Sequence, residues 1–291
     1  MKRALTKARQ SLEGKDEEIE RRLRPKPPPL PRSLPADDDA QVQSFLSQRG
    51  VISRCEREQV TDRDLSRLLP SQWLNDEIIN FYGQMILSRS NTAQKKKGLS
   101  MGANGINGVN GVNGFSKGCA TRGKLGSTIL DVHYFSTFFW SKLKGDGYEK
   151  GRLAKWTKKF DIFSKDVLLI PINHNNSHWT GAAINFRRKR IESYDSMNMD
   201  RQNVYRLLRE YLNAEHKDKR KKPFDFTGWI DYTHPETPQQ ENGYDCGVFT
   251  CQFLETLSRG EEAFNFTQRD MAYLRRRMIW EIGNARLREE S

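Results

Sequence analysis

Val167-Leu168-Leu169-Ile170-Pro171-Ile172 is a run of six apolar residues with no polar residue between them. A strand with one face in water alternates apolar and polar side chains, so an unbroken run reads as a strand buried on both faces. It enters a polar loop, Asn173 to Ser177, which delivers His178-Trp179. The chain continues as Thr180 to Phe186, turns at Arg187-Arg188-Lys189 and returns as Arg190 to Asp195, which is the pattern of a hairpin. His178 opens one strand and Asp195 closes the other, so both fall at the same end of the sheet. An Asp that accepts from an imidazole fixes its tautomer and stabilises the imidazolium.

A nucleophile completes such a pair. In the stretch Pro238 to Cys251, the residues Cys246, Phe249, Phe253, Leu254 and Leu257 recur at i, i+3, i+7, i+8 and i+11, which predicts a helix starting at Cys246. Unpaired N–H groups and the macrodipole at a helix N-terminus favour thiolate over thiol. Gly243 and Gly247 flank the site and leave room for a sharp entry and for another chain near the sulfur. Gln240 lies six residues before the cysteine, where its amide is placed to meet an oxyanion together with the backbone N–H of Cys246. Gln239 competes for that role, and spacing does not separate the neighbours. Each residue has a plainer reading: Cys246 as a small buried hydrophobe, His178 as a structural histidine with His174 as the base, and Asp195-Ser196 as a strand end. His174 sits in the polar run Asn173-His174-Asn175-Asn176, which reads as solvated turn.

His178-Trp179, Tyr194-Asp195-Ser196-Met197 and Pro238-Gln239-Gln240 through Asp245-Cys246-Gly247 resemble the catalytic motifs of the SUMO-specific cysteine proteases, the sentrin/ubiquitin-like protease family. The resemblance extends to Gln72 to Tyr82, Phe135 to Phe139, Lys155 to Lys159, Asn265 to Gln268 and Met278 to Glu281, so that it spans nearly everything from about Ser33 onward. It implies an α+β, papain-like fold with helices packed around a central mixed β-sheet. It further implies His178 as general base, Asp195 as orienting carboxylate, Cys246 as nucleophile and Gln240 as oxyanion-hole side chain. Trp73 and Trp179 match two tryptophans that close over the modifier's C-terminal Gly-Gly, a slot that passes glycine and rejects a Cβ. Asp76 matches an acidic residue that meets a basic side chain of the modifier. For Trp73 a core role stays open beside the gate, because Leu74, Ile78, Phe81, Tyr82, Met85 and Ile86 share one helical face.

The rest of the chain bounds these readings. Its 291 residues hold no apolar run long enough to span a membrane and no secretory leader. The four cysteines, Cys55, Cys119, Cys246 and Cys251, have no C-x-x-C spacing, so neither a disulfide framework nor a metal site is expected, and the compartment is expected to be reducing. Residues 1–35 are basic and proline-rich and read as a disordered tail, with a short charged helix over Leu12 to Leu23 and an extended polyproline linker. Residues 36–291 read as the catalytic domain, with a flexible Gly/Asn-rich insertion at about 91–128 that interrupts the family pattern. Further expected elements are a helix around Val42 to Leu46, an extended piece at Val51 to Val60, a helix from Asn75 to Ser88, and helix for much of Ile129 to Trp140. An amphipathic helix follows at Arg201 to Leu212, then a solvated charge block at 216–222, a strand over Phe226 to Tyr232 carrying Trp229 inward, and a last helix from Thr267 to Leu287. The net charge of +12 is dispersed and no nucleic-acid motif accompanies it, so nucleic acid is not expected as a partner.

These readings converge on a monomeric thiol protease that hydrolyses the bond after the Gly-Gly of SUMO, acting on precursors or on SUMO-conjugated proteins, without metal or organic cofactor. The family and the basic runs imply the nucleus, including its envelope or pores, with some cytoplasmic enzyme. The alternatives are a protease or acyl transferase for another ubiquitin-like modifier, and a SUMO-binding module that does not cut.

Overall fold

A computed structural model describes residues 28–103, 129–261 and 263–288. In chain order the elements are α1 (Ala36–Ser47), β1 (Val51–Cys55), β2 (Glu58–Thr61), the single turn α2 (Asp62–Leu65), α3 (Asp76–Ala103), β3 (Val132–Tyr134), α4 (Phe138–Lys150), β4 (Val167–Asn173), β5 (Trp179–Asn185), β6 (Arg190–Tyr194), α5 (Gln202–Arg220), β7 (Ile230–Tyr232), α6 (Cys246–Ser258) and α7 (Met271–Gly283). β1 and β2 form a small antiparallel hairpin, and the other five strands form a sheet in the order β3-β4-β5-β6-β7. Its outer pairs, β3/β4 and β6/β7, are parallel and its inner pairs are antiparallel, so the sheet is mixed and the fold is α+β.

The apolar run is strand β4, whose first six residues are buried. Its even positions Leu168, Ile170 and Ile172 join Ala182 and Ile184 of β5 in a core with Phe139 and Trp140 of α4 and Val204, Leu208, Tyr211 and Leu212 of α5. The odd face meets α6. In the register Gly181 lies opposite Pro171, and a Cβ on Gly181 would stand 3.3 Å from the Leu254 side chain. Glycine there lets α6 lie close against β5. The sequence predicts one apolar face for α6, but all thirteen residues are buried, Gln252 and Glu255 among them. Glu255 is held by Arg89 and Arg259, which supplies the partners a buried carboxylate requires.

Several elements differ from the sequence-based expectation. Ile129 to Trp140 divides into strand β3 and the start of α4 instead of running as helix. The aromatic residues serve both: Phe135 and Phe139 stack at 3.9 Å between the two. Strand β7 begins only at Ile230, and Trp229 lies before it, half-buried among Phe186, Phe224 and Phe226. α5 runs to Arg220, so much of the charge block is its last turn, where Lys217, Lys219 and Arg220 complement the negative end of the helix. The last helix starts at Met271 after a 3-10 turn capped by Thr267 and Asp270. α3 continues to Ala103, so 91–103 are helical where a flexible insertion is predicted. The Gly/Asn run after 104, Cys119 and the charged helix over Leu12 to Leu23 lie outside the described residues.

Candidate active site

The loop between β4 and β5 is a tight one because Asn175 and Asn176 both take left-handed backbone angles (φ 55° and 58°), which asparagine tolerates. The Asn176 N–H donates to Asn173 Oδ1 at 2.7 Å and the Ser177 hydroxyl to the His174 carbonyl. His178 therefore leaves the loop in a fixed direction. Its Nε2 lies 2.7 Å from Asp195 Oδ1, the contact that the hairpin register anticipates. Both residues are buried. Asp195 Oδ1 also accepts the Met197 N–H, and Oδ2 accepts Arg201 Nε at 2.7 Å. Burial alone would raise the Asp195 pKa, yet the bonds from His178, Met197 and Arg201 hold it below the ordinary carboxylate value.

Cys246 is the first residue of α6, as the spacing predicts, and only 1% of it is exposed. His178 Nδ1 makes no hydrogen bond, and Cys246 is close enough to act on the ring. Burial lowers the His178 pKa, but the Asp195 bond, the Cys246 sulfur and the charges of both outweigh it and push the pKa up to about 9. An imidazolium is thereby favoured beside the sulfur.

His174 is half-buried rather than solvated, and its ring lies over that of His178 at 6.2 Å between centroids. Its Nε2 is bonded to Thr180 Oγ1, and burial with nearby Arg201 and His178 lowers its pKa to about 4. It stays neutral at physiological pH, and Asp195 bonds His178 instead. The two glutamines separate as clearly. Gln240 accepts the Ser196 hydroxyl on Oε1 at 2.6 Å, which turns its Nε2 outward as a donor, now to the Asn242 carbonyl. Gln239 is exposed and donates to backbone carbonyls, including that of Asp195.

Trp179 is buried with its indole N–H on the Leu74 carbonyl at 3.0 Å, whereas Trp73 is 41% exposed. The exposure removes Trp73 from the core. Leu74 in turn lies on Gly247, where a Cβ would approach it to 2.8 Å. The space beside Gly247 is thus occupied by Leu74, while Gly243 faces open space. Trp73, Trp179 and the start of α6 converge through Leu74. Asp76 stands at the first position of α3, half-buried; a carboxylate there also suits the helix N-terminus.

Sequence reading missed Arg201, Ser196 and the pair Asp245–Arg275. Arg201 is a lone arginine in a loop, and Arg275 lies thirty residues from Asp245, so neither spacing carries a signal. Among the described residues no cluster of His, Cys, Asp and Glu has the makings of a metal site, and no helix is long and apolar enough to cross a membrane.

Residues 127–287 match the Ulp1 protease family, C-terminal catalytic domain. A sentrin-specific protease of Caenorhabditis elegans is 38% identical over 229 residues, covering 79% of this chain and 28% of that protein. Human sentrin-specific protease 2 is 31% identical over 254 residues, covering 86% of this chain and 37% of that protein. The chain thus spans roughly a third of the length of these relatives. Among solved structures, the C-terminal Ulp1 protease domain in complex with Smt3, the yeast ortholog of SUMO, is similar with a TM-score of 0.63 at 27% identity, covering 87% of this chain and 96% of that one. The Chaetomium thermophilum Ulp1-like SUMO protease catalytic domain shares the fold at TM-score 0.70 and 24% identity, covering 92% of this chain and 96% of that one. The helices around a mixed sheet are the papain-like arrangement of these neighbours.

Proposed function

Since the chain belongs to the Ulp1 protease family, a family of cysteine proteases, we propose that it is a SUMO-specific thiol protease that hydrolyses the bond following the modifier's C-terminal Gly-Gly. The substrates are SUMO precursors, SUMO joined to target lysines, or both. The observation that carries the reading is the buried His178–Asp195 bond of 2.7 Å with Cys246 at the α6 N-terminus beside the ring.

The chemistry follows from the positions. Asp195 occupies Nε2, so Nδ1 is the nitrogen that serves the sulfur. His178 holds the thiol proton, and the thiolate of Cys246 attacks the glycine carbonyl. The oxygen that becomes negative is met by the backbone N–H of Cys246 and by Gln240 Nε2, whose second N–H remains after the Asn242 bond. His178 then protonates the leaving amine, and water releases the modifier from the thioester. No step calls for a metal or cofactor. Trp73 and Trp179 form the glycine slot and Asp76 meets the body of the modifier. The enzyme acts as a monomer, in the nucleus, at its envelope or pores, and to a lesser extent in the cytoplasm.

The test is adduct formation between wild type or Cys246→Ala and C-terminally electrophilic SUMO, ubiquitin and other ubiquitin-like probes. A SUMO adduct lost in the variant is expected. An adduct with a different modifier alone overturns the substrate, and no adduct from folded protein overturns the catalytic reading.

A further inference from the structure

The residue before the nucleophile poses a problem that the structure solves in an unusual way. Asp245 is the N-cap of α6, and an N-cap aspartate ordinarily turns its carboxylate onto the N–H groups of the first helical turn. Those are the N–H groups that a thiolate and an oxyanion need, and a carboxylate placed on them would both occupy them and repel the sulfur. Asp245 makes no such capping bond. Its carboxylate points away: Oδ1 accepts from Arg275 Nε at 2.8 Å and forms an ion pair with Nη2 at 2.7 Å, and Oδ2 accepts from Asn242 Nδ2 and Gln268 Nε2.

Arg275 comes from the first turns of α7 and is buried to 4% exposure. Its remaining donors are spent on backbone carbonyls. Nη1 donates to Arg67 and Leu69, and Nη2 to Gln72 and Tyr244. One guanidinium therefore bridges three pieces of chain: the 67–72 loop that leads into Trp73, the segment just before Cys246, and α7. The forked shape of arginine suits this; a lysine ammonium has three donors and no fork.

We infer that Arg275 is a positioning residue for catalysis: by drawing the Asp245 carboxylate off the N-terminus of α6, it keeps the first-turn N–H groups open for the Cys246 thiolate and the oxyanion. It touches neither substrate nor sulfur. This deepens the protease reading and rests on it only for the substrate assay.

The experiment compares Arg275→Gln, the double variant Arg275→Gln/Asp245→Asn and Arg275→Lys, each shown to be folded by its thermal transition. In Arg275→Gln the carboxylate loses its counter-charge, the neutral bonds from Asn242 and Gln268 do not offset the pull of the helix N-terminus, and Oδ1 turns onto its own helix. As a result kcat on a SUMO precursor falls about tenfold to a hundredfold while KM stays within a few-fold. Adding Asp245→Asn removes that charge and recovers a large part of kcat, although the double variant has fewer native hydrogen bonds than the single. A purely structural arginine predicts the opposite order, with the double variant the worse of the two, and that outcome overturns the inference. Arg275→Lys keeps the counter-charge and stays within a few-fold of wild type; a folded lysine variant as poor as the glutamine variant also overturns it. The rate of alkylation of Cys246 by iodoacetamide, read by mass spectrometry, follows the same order without any modifier. Inactivity of the wild type on SUMO therefore sinks the substrate reading while the alkylation order still decides the role of Arg275.

Discussion

The two ends of the β5–β6 hairpin are built from the same pair of strands by opposite means. At one end the polar side chains are locked: buried His178, Asp195 and Ser196 and half-buried Gln240 each have a named partner within 2.7 Å. At the other end the turn Arg187 to Lys189 borders an aromatic cluster, Phe163, Phe186, Phe224, Phe226 and Trp229, whose rings meet mostly edge to face. Hydrogen bonds fix atoms to a few tenths of an ångström and fail abruptly when a partner is lost. Aromatic packing is broad and yields gradually. Substitutions at the first end should therefore change chemistry more than stability, and those at the second end should do the reverse.

The largest expected effect is at the centre of the locked end. Asp195→Asn keeps the size of the side chain and removes the charge that holds His178, and kcat/KM should fall by about 10² to 10⁴. The pH dependence supplies the sign. With the His178 pKa raised to about 9, the imidazolium contributes stability and activity that are fully present below the ordinary histidine value of 6.5 and are lost as pH rises through about 9. Asp195, held low, contributes above the ordinary carboxylate value and loses its contribution as pH falls through its depressed pKa. Wild type should show an alkaline limb near pH 9, and Asp195→Asn should move that limb toward neutrality. A variant with the wild-type alkaline limb would show that Asp195 does not set the charge of the ring.

Gln240→Ala comes next, with a loss of about 10² to 10³ in kcat, the scale of one removed oxyanion donor. Gln239→Ala is the matched control. If the two variants lose equally, the assignment drawn from the Ser196 bond fails, because Gln239 lacks that orientation.

This contrast also explains how much the sequence disclosed. The hairpin was legible because two runs of strand character flank the turn residues Arg187 to Lys189, and the meeting of His178 with Asp195 at one end followed from it. The position of Cys246 was legible because an apolar helical face begins there. The papain-like fold came from resemblance, as did the proposed glycine slot and the proposed oxyanion role of Gln240, and the Ser196 bond adds an orientation of Gln240 that spacing does not carry. Arg201 and Arg275 were invisible, since a single arginine reaching across 6 or 30 residues to an aspartate leaves no periodic trace. Helix ends were misjudged where charge decides them: α5 continues through its lysines to Arg220 because Glu215 pairs with Lys219 and bonds Tyr148. An aromatic run such as Phe226 to Tyr232 reads as strand, whereas the Trp229 ring packs on Phe186, Phe224 and Phe226 before β7 begins.

At the yielding end, Trp229→Ala should destabilise the protein by about 2–3 kcal/mol, below the range for a fully buried tryptophan because Trp229 is only half-buried. Urea unfolding measures this as a lower midpoint, and kcat of the folded enzyme should stay within about twofold of wild type at 25 °C. A loss of kcat comparable to that of Gln240→Ala would mean that the two ends are coupled along β5 and would break the comparison.

The smallest effect tests the two turns against each other. Lys189 holds a left-handed backbone angle, φ 53°, at the tip of the hairpin, as Asn175 and Asn176 do in the loop before His178. Lysine, unlike asparagine, does not favour that conformation, and its exposed ammonium stands to lose only a solvent-screened attraction to Asp225. Lys189→Gly should relieve about 1–2 kcal/mol of steric cost against about 0.5–1 kcal/mol of added chain entropy, for a net stabilisation of under about 1 kcal/mol and unchanged kcat. Asn176→Gly relieves less, since asparagine already tolerates the angle, and it leaves the backbone bond to Asn173 in place but loosens the loop that aims His178. It should therefore lower kcat a few-fold with no gain in midpoint. Equal responses from the two glycine variants would show that turn geometry, not the polar network behind it, distinguishes the two ends.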